Sequence, residues 1–291
     1  MNNRPKTSLL RVVMNALDYS WSYSVRLFPF ALLATFFAAV FNGYAQAAVD
    51  PFWSRLHQLG VPIPDALWFY ISLGILLGLL GLFCFFIIVL CYQDIQLERK
   101  VPWYSHLPEI PFKLIKSVIA TFIVGIFSFL VSSLIVFLTV DSPELSMEDG
   151  TSIASFALIL LTCALSVFLM YVILRLSLYT LAILLENRGI VESLKRSYKI
   201  SRGWRQWLGT GGIFAIQQFA LLVIGLVLLW LWEKWMPTAL ANTEGLLFWG
   251  VELVLTAVVS LWSVLAFAMW FEELAQRASQ TQNPATPDVV D

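Results

Sequence analysis

The amino-acid sequence predicts an all-α fold: a polytopic six-helix transmembrane bundle with amphipathic interfacial helices and both termini cytoplasmic. Three observations lead there. Hydrophobic residues make up 59% and charged residues 13% of the 291 positions, whereas about 25% of the residues in a soluble domain are charged. Six runs, at 27–48, 67–92, 117–139, 153–174, 208–232 and 246–271, supply the roughly 20 apolar residues that cross a hydrocarbon core about 30 Å thick. Lys and Arg concentrate on alternate connections between these runs, the pattern of positive-inside topology. Helices follow because backbone groups in lipid must be satisfied within the segment, and an uninterrupted apolar run lacks the alternation of a barrel strand.

The first 26 residues read as a cytoplasmic interfacial segment. Leu9, Val12, Val13, Leu17 and Trp21 recur at near-helical spacing, with Arg11 and Asp18 elsewhere on the wheel, so this stretch can lie on the inner membrane surface. Residues 27–271 form the six-span membrane domain. Arg4, Lys6, Arg11 and Arg26 precede or open the first span, and Arg99, Lys100, Lys113 and Lys116 lie between spans two and three. The outer connections carry only Arg55 and Lys234, and the third-to-fourth connection holds Asp141, Glu144, Glu148 and Asp149 with no basic residue. Both termini therefore face inward, which requires an even number of spans.

Pro102, Pro108 and Pro111 break helix between spans two and three, and Trp103 and Tyr104 suit headgroup depth, so this connection is an interfacial loop. Gly74, Gly78 and Gly81 on span two and Ser128 and Ser132 on span three let helices approach closely. Cys84, Cys91 and Cys163 all fall within spans, where thiols act as small buried hydrophobes. Residues 272–291 form a cytoplasmic tail; from Gln276 onward it is rich in Gln, Thr, Pro and Ala, offers little to bury and reads as disordered.

The fourth connection is the most informative. A strongly apolar run ends at Glu186, and Arg188, Lys195, Arg196, Lys199, Arg202 and Arg205 follow before hydrophobicity resumes at Leu208. At about 100° per residue, Ile190, Val191, Leu194 and Tyr198 share one arc. Glu192, Lys195, Arg196 and Lys199 share the opposite one, with Arg202 at the boundary. The result is a basic amphipathic helix over 189–203, closed by Gly203 as a left-handed C-cap and flanked by Trp204 and Trp207 at headgroup depth. Ser193 and Ser197 sit at the edge of the apolar arc and are expected to pack against the bundle. The cations are expected to contact anionic membrane lipids or a membrane-protein partner.

These residues also carry a resemblance. Arg175, Glu186-Asn187-Arg188-Gly189, Ser193, Arg196-Ser197 and Ser201-Arg202-Gly203 resemble the Arg...Glu-x-x-Gly...Ser/Ala-x-x-x-Ser...Ser/Thr-x-Gly pattern of a bacterial inner-membrane family. That family includes YciC-like proteins and the membrane module of some glycerophosphodiester phosphodiesterases. The specific match spans about 175–212, and Leu184-Leu185 stands where the pattern often has Pro. The resemblance implies a multi-pass protein of the bacterial cell inner membrane, in a family for which mostly no biochemical activity is established. No phosphodiesterase domain is expected, since spans and short connections take up nearly all of the chain.

Candidate chemistry is sparse. The two histidines, His57 and His106, fall on opposite sides of the membrane. No GxxxxGK[ST] loop, HExxH helix or CxxC pair occurs, and no base lies within the spans to activate a serine. No enzymatic activity, cofactor, metal or nucleic-acid partner is expected. Ionisable residues within spans cost at least about 2.5 kcal/mol to insert and are functional hypotheses by default. Glu252 lies roughly 9 Å below the outer end of span six at 1.5 Å per residue, and Arg175 lies near the inner face, too distant in depth for a direct pair. Arg175 is expected to snorkel to inner phosphates or to bind Glu186 or another helix terminus. Glu252 is expected to pack as a neutral or hydrogen-bonded group, with a proton-coupled or substrate-contacting role as the alternative. The leading functional expectation is a non-enzymatic integral protein acting through lipid or protein contacts in cell-envelope maintenance. A transporter or exporter subunit using Glu252, and a membrane enzyme acting on lipids, are the alternatives.

Overall fold

The computed structural model describes residues 9–56, 65–140, 153–235 and 243–282, and every regular element among them is helical. In order they are α1 (Leu9–Ser22), α2 (Ser24–Leu56), α3 (Asp65–Gln96), a 3-10 turn (Trp103–His106), α4 (Ile110–Val140), α5 (Ile153–Leu176), α6 (Tyr179–Glu186), α7 (Ile190–Ile200), α8 (Trp204–Trp235) and α9 (Thr243–Gln282). Among the described residues, five helical stretches are long and apolar enough to cross a membrane, and six if the bent α1–α2 pair counts as one span. The acidic connection 141–152, His57, Arg4, Lys6 and residues 283–291 lie outside the described residues. The chain divides into two units, one of Met1–Ile110 with Gly212–Trp270 and one of Pro111–Gly211 with Phe271–Asp291, a division that the even hydropathy of 27–271 does not announce.

In the first unit, α1 meets α2 at 99°. Val12 and Ala16 of α1 are buried, while Leu10, Met14, Leu17 and Trp21 are exposed. Leu17 and Trp21 thus face away from the protein, not toward it with Val12. Trp262 Nε1 donates to Val13 O at 3.1 Å and anchors α1 to α9. Helix α2 runs along α3, and a Cβ on Gly81 would stand 3.8 Å from Ala34 O, whereas one on Gly78 would meet open space. Gly81 is therefore in ordinary packing contact with α2. The loop after α3 is fastened at two points. Arg26 Nη2 donates to Val101 O at 2.6 Å, and His106 Nε2 donates to Oδ2 of the buried Asp94 at 2.6 Å.

In the second unit, α4 begins at Ile110 with Pro111 in its first turn, where the missing N–H would have had no helical partner. The helix therefore starts seven residues before the apolar run at 117. The fourth span, 153–174, lies within the single helix α5; its helical continuation is broken off, α5 stopping at Leu176 and α6 restarting at Tyr179. Ser177 Oγ donates back to Leu174 O at 2.8 Å at this break, offering the backbone a local alternative to the helical ladder. The end of α6 is marked by Asn187 at φ 51°, a left-handed conformation that Asn tolerates. Helix α4 packs on this unit through a cluster of Ala120, Tyr179 and Ile183 with Val124, Ile190 and Leu194 around it.

Two further expectations are corrected. Residues 276–282 are helical, not disordered, because α9 continues to Gln282. Arg277 Nε donates to Glu273 Oε1 at 2.9 Å at (i, i+4) spacing and Leu274 is buried, while Ala, Gln and Arg are good helix formers even where hydropathy falls. Cys84 and Cys91 are buried, but Cys163 is exposed on α5.

Candidate functional site

The basic segment is held by a set of buried polar ties within the second unit, all centred on α7. Arg175, at the end of α5, is only 3% exposed. Its Nη2 donates to Tyr198 O at 2.7 Å and its Nη1 to Tyr171 Oη at 2.6 Å. The guanidinium also stacks on the Tyr198 ring, 3.6 Å from its centroid. Tyr198 O lies in the last turn of α7, so a cation sits at the negative end of that helix. Of the three partners expected for Arg175, the structure selects a helix terminus.

Traffic runs in the other direction too. Ser197 Oγ donates to the carbonyl of Arg175 at 2.7 Å. Ser201 Oγ lies 3.0 Å from the same carbonyl and 2.6 Å from Ser197 O, its single proton shared between them. Ser193, Ser197 and Ser201 are fully buried; spaced four apart, they line one face of the helix. Small hydroxyl side chains allow that face to close on α5 while satisfying a carbonyl that would otherwise be stranded.

A second tie fixes the other end. Glu186, the last residue of α6, takes a bidentate contact from Arg196, with Nη2 to Oε1 at 2.9 Å and Nε to both oxygens at 3.1 Å, and Arg188 Nε also donates to it. Lys113 of α4 donates to Leu184 O at 3.3 Å, placing a further cation at the C-terminus of α6. Tyr179 Oη and Thr121 Oγ1 are 2.5 Å apart, and Thr121 Oγ1 donates in turn to Ser117 O at 2.8 Å.

This arrangement corrects the rotation of α7. The buried arc is Ser193, Ser197, Ile200 and Ser201, so Val191 and Tyr198 turn outward, 60% and 50% exposed. Arg196 leaves the cationic face for Glu186. The outward face therefore carries Lys195, Lys199 and Arg202, all exposed, beside Val191 and Tyr198. Trp204 and Arg205 extend it, with the guanidinium 5.4 Å from the indole centroid. Gly189 is the N-cap of α7 in extended conformation at φ −67°, which any residue can adopt. Gly203 is not a left-handed cap: α7 closes on Ser201 at φ −93°, and Gly203 precedes α8. There the Gln206 side chain folds back over the position a Cβ on Gly203 would take, so a side chain at 203 would displace it.

Glu252 lies apart from this assembly, in the first unit. It is exposed and faces a cleft of about 280 Å³ between α2 and α9 that it shares with Thr35, Ala38, Ala39, Trp249 and Thr256. His106 and Asp94 form a further polar pair that sequence reasoning did not assemble; they are 12 residues apart and a loop brings them together. Among the described residues no three His, Cys, Asp or Glu side chains gather into a metal-binding group.

Long apolar helices, with the short helix α7 latched through buried polar ties, define a multi-pass α-helical membrane protein. Residues 108–274, more than half of the chain, match the family described as a domain of unknown function (DUF7847), and the chain belongs to that family. Neither the curated proteins nor the solved structures contain a match to it.

Proposed function

We propose that this is a non-enzymatic protein of the bacterial cell inner membrane, with both termini cytoplasmic, that acts in cell-envelope maintenance through contacts of α7 with anionic lipid. The single observation that carries the reading is the composition of the outward face of α7. Lys195, Lys199 and Arg202 stand beside exposed Val191, Tyr198 and Trp204. Cations next to apolar and aromatic side chains on one face suit the boundary between anionic headgroups and acyl chains. A solvated helix would not present the apolar members, and a membrane-crossing one would not present the charges. The ties through Arg175, Glu186 and the serines support the same reading, because they hold that face in a fixed orientation. The alternation of basic connections supports the orientation of the termini. The YciC-like pattern supports the bacterial inner membrane; in this fold its residues Arg175, Glu186, Ser197 and Gly203 each make a structural contact.

The test is purification in native lipid followed by lipid mass spectrometry. Anionic lipids should co-purify with the wild type above their bulk proportion, and a Lys195→Gln, Lys199→Gln, Arg202→Gln variant should lose that enrichment. Equal lipid profiles would refute the proposal.

A further inference from the structure

Glu252 poses a chemical problem that the fold does not solve. An acid within a long apolar helix ordinarily faces a partner, yet Glu252 has no hydrogen-bond or ion-pair partner among the described residues. Nor do the two helices that form its cleft offer one. On α2, Arg26 is nine residues before Thr35, about 14 Å along the axis, and its Nη2 is engaged by Val101 O. Arg55 is about 24 Å beyond Ala39 on the same helix, and Arg277 is about 38 Å from Glu252 along α9. Thr35 lies about 17 Å along α2 from its start.

We propose that this cleft binds a hydrophobic monovalent cation, a protonated amine carried on an apolar body, drawn laterally from the bilayer. The walls divide the task. Glu252 supplies the counter-charge. Trp249, 40% exposed and in a T-shaped pair with Phe36 at 6.0 Å, lines the cleft, and an indole ring is the best aromatic partner for a cation. Thr35 Oγ1 donates to Ala31 O at 2.8 Å, which leaves its lone pairs to accept from an ammonium N–H. Ala38 and Ala39 leave the room for the apolar body. A polar group at the base of a mostly apolar cleft fixes orientation, and the apolar walls give affinity. Such a site is what a transporter or exporter subunit requires. It is separate from α7, so the failure of either proposal leaves the other standing.

The experiment uses the full chain in nanodiscs of zwitterionic lipid, titrated with dansylcadaverine, a primary amine whose fluorescence rises in apolar surroundings, and with its N-acetylated, neutral derivative. The expected result is saturable binding of the amine to wild type, no saturable binding of the acetylated form, and at least about tenfold weaker amine binding to Glu252→Gln, with Glu252→Asp retaining most of it. That tenfold corresponds to about 1.4 kcal/mol of lost interaction. Equal affinity for amine and acetylated probe on the wild type would overturn the proposal without recourse to any variant. So would saturable binding that Glu252→Gln leaves unchanged, or amine uptake that never saturates.

Discussion

Replacing Arg175 with Met removes the centre of the α7 assembly while keeping an unbranched apolar stem of similar length. Two hydrogen bonds from a charged donor are lost, to Tyr198 O and Tyr171 Oη, each worth about 1.5–3 kcal/mol net. The stack on Tyr198 contributes about 1–2 kcal/mol more when desolvated. Against this, Arg175 Nε finds no partner among the described residues, and removing a buried unsatisfied donor returns about 1–3 kcal/mol. The net loss is about 3–5 kcal/mol, a large share of a typical 5–15 kcal/mol stability. Arg175→Lys keeps the charge but cannot reach the carbonyl and the phenol together or stack as a plane, so it should lose about half as much. Titration with sodium dodecyl sulfate in mixed micelles, followed by far-ultraviolet circular dichroism, reads the stability. Trypsin cleavage after Lys195 and Lys199 reads the release of α7. An unfolding midpoint and cleavage rate equal to wild type for Arg175→Met would refute the reasoning.

Three further outcomes are expected. Glu186→Gln should cost about 1–2 kcal/mol after allowance for solvent around side chains 20% and 13% exposed. A double-mutant cycle with Arg196→Gln should show coupling above about 0.5 kcal/mol, and strictly additive effects would deny the pair any role. Ser197→Ala combined with Ser201→Ala should destabilise by about 1 kcal/mol per hydroxyl, measured by the same detergent titration. Reporter fusions and cysteine labelling should place Lys100, Lys195 and Asp291 on the cytoplasmic side and Asp149 and Asn242 on the opposite side; labelling of position 195 from outside would overturn the orientation.

The membrane-crossing helices were legible because lipid demands about 20 apolar residues and leaves no other way to satisfy the backbone. The existence of the helices α1 and α7 was legible from amphipathic spacing. The rotation of α7 was not. Ser193 and Ser197 were expected to pack against the bundle and are fully buried. The hydrophobic arc, however, placed Val191 and Tyr198 inward as well and gave no weight to Ser201, whose small hydroxyl completes the face that closes on α5 at the Arg175 carbonyl. The four-residue spacing of the serines was the available signal. Arg196 was read with its neighbours on the wheel because a wheel knows nothing of Glu186, which lies on the preceding helix. The break at Ser177 escaped notice because no Pro or Gly marks it. For Glu252 the residue was visible and its surroundings were not: Thr35 and Trp249 meet it only through the pairing of α2 with α9, which no local pattern encodes.

The central claim, that the outward face of α7 docks on anionic lipid, is tested most directly by a single probe on that face. With the probe in place of Lys199, the remaining Lys195 and Arg202 together contribute about 2 kcal/mol to such docking before salt screening, at about 1 kcal/mol each. The probe is a fluorophore on Lys199→Cys, placed in a Cys163→Ser background because Cys163 is exposed. Its accessibility to an aqueous quencher is then measured in vesicles with and without anionic lipid. The account predicts that anionic lipid shields the probe and that adding Lys195→Gln and Arg202→Gln abolishes most of the shielding. Equal accessibility in both lipids, with or without those substitutions, would contradict it.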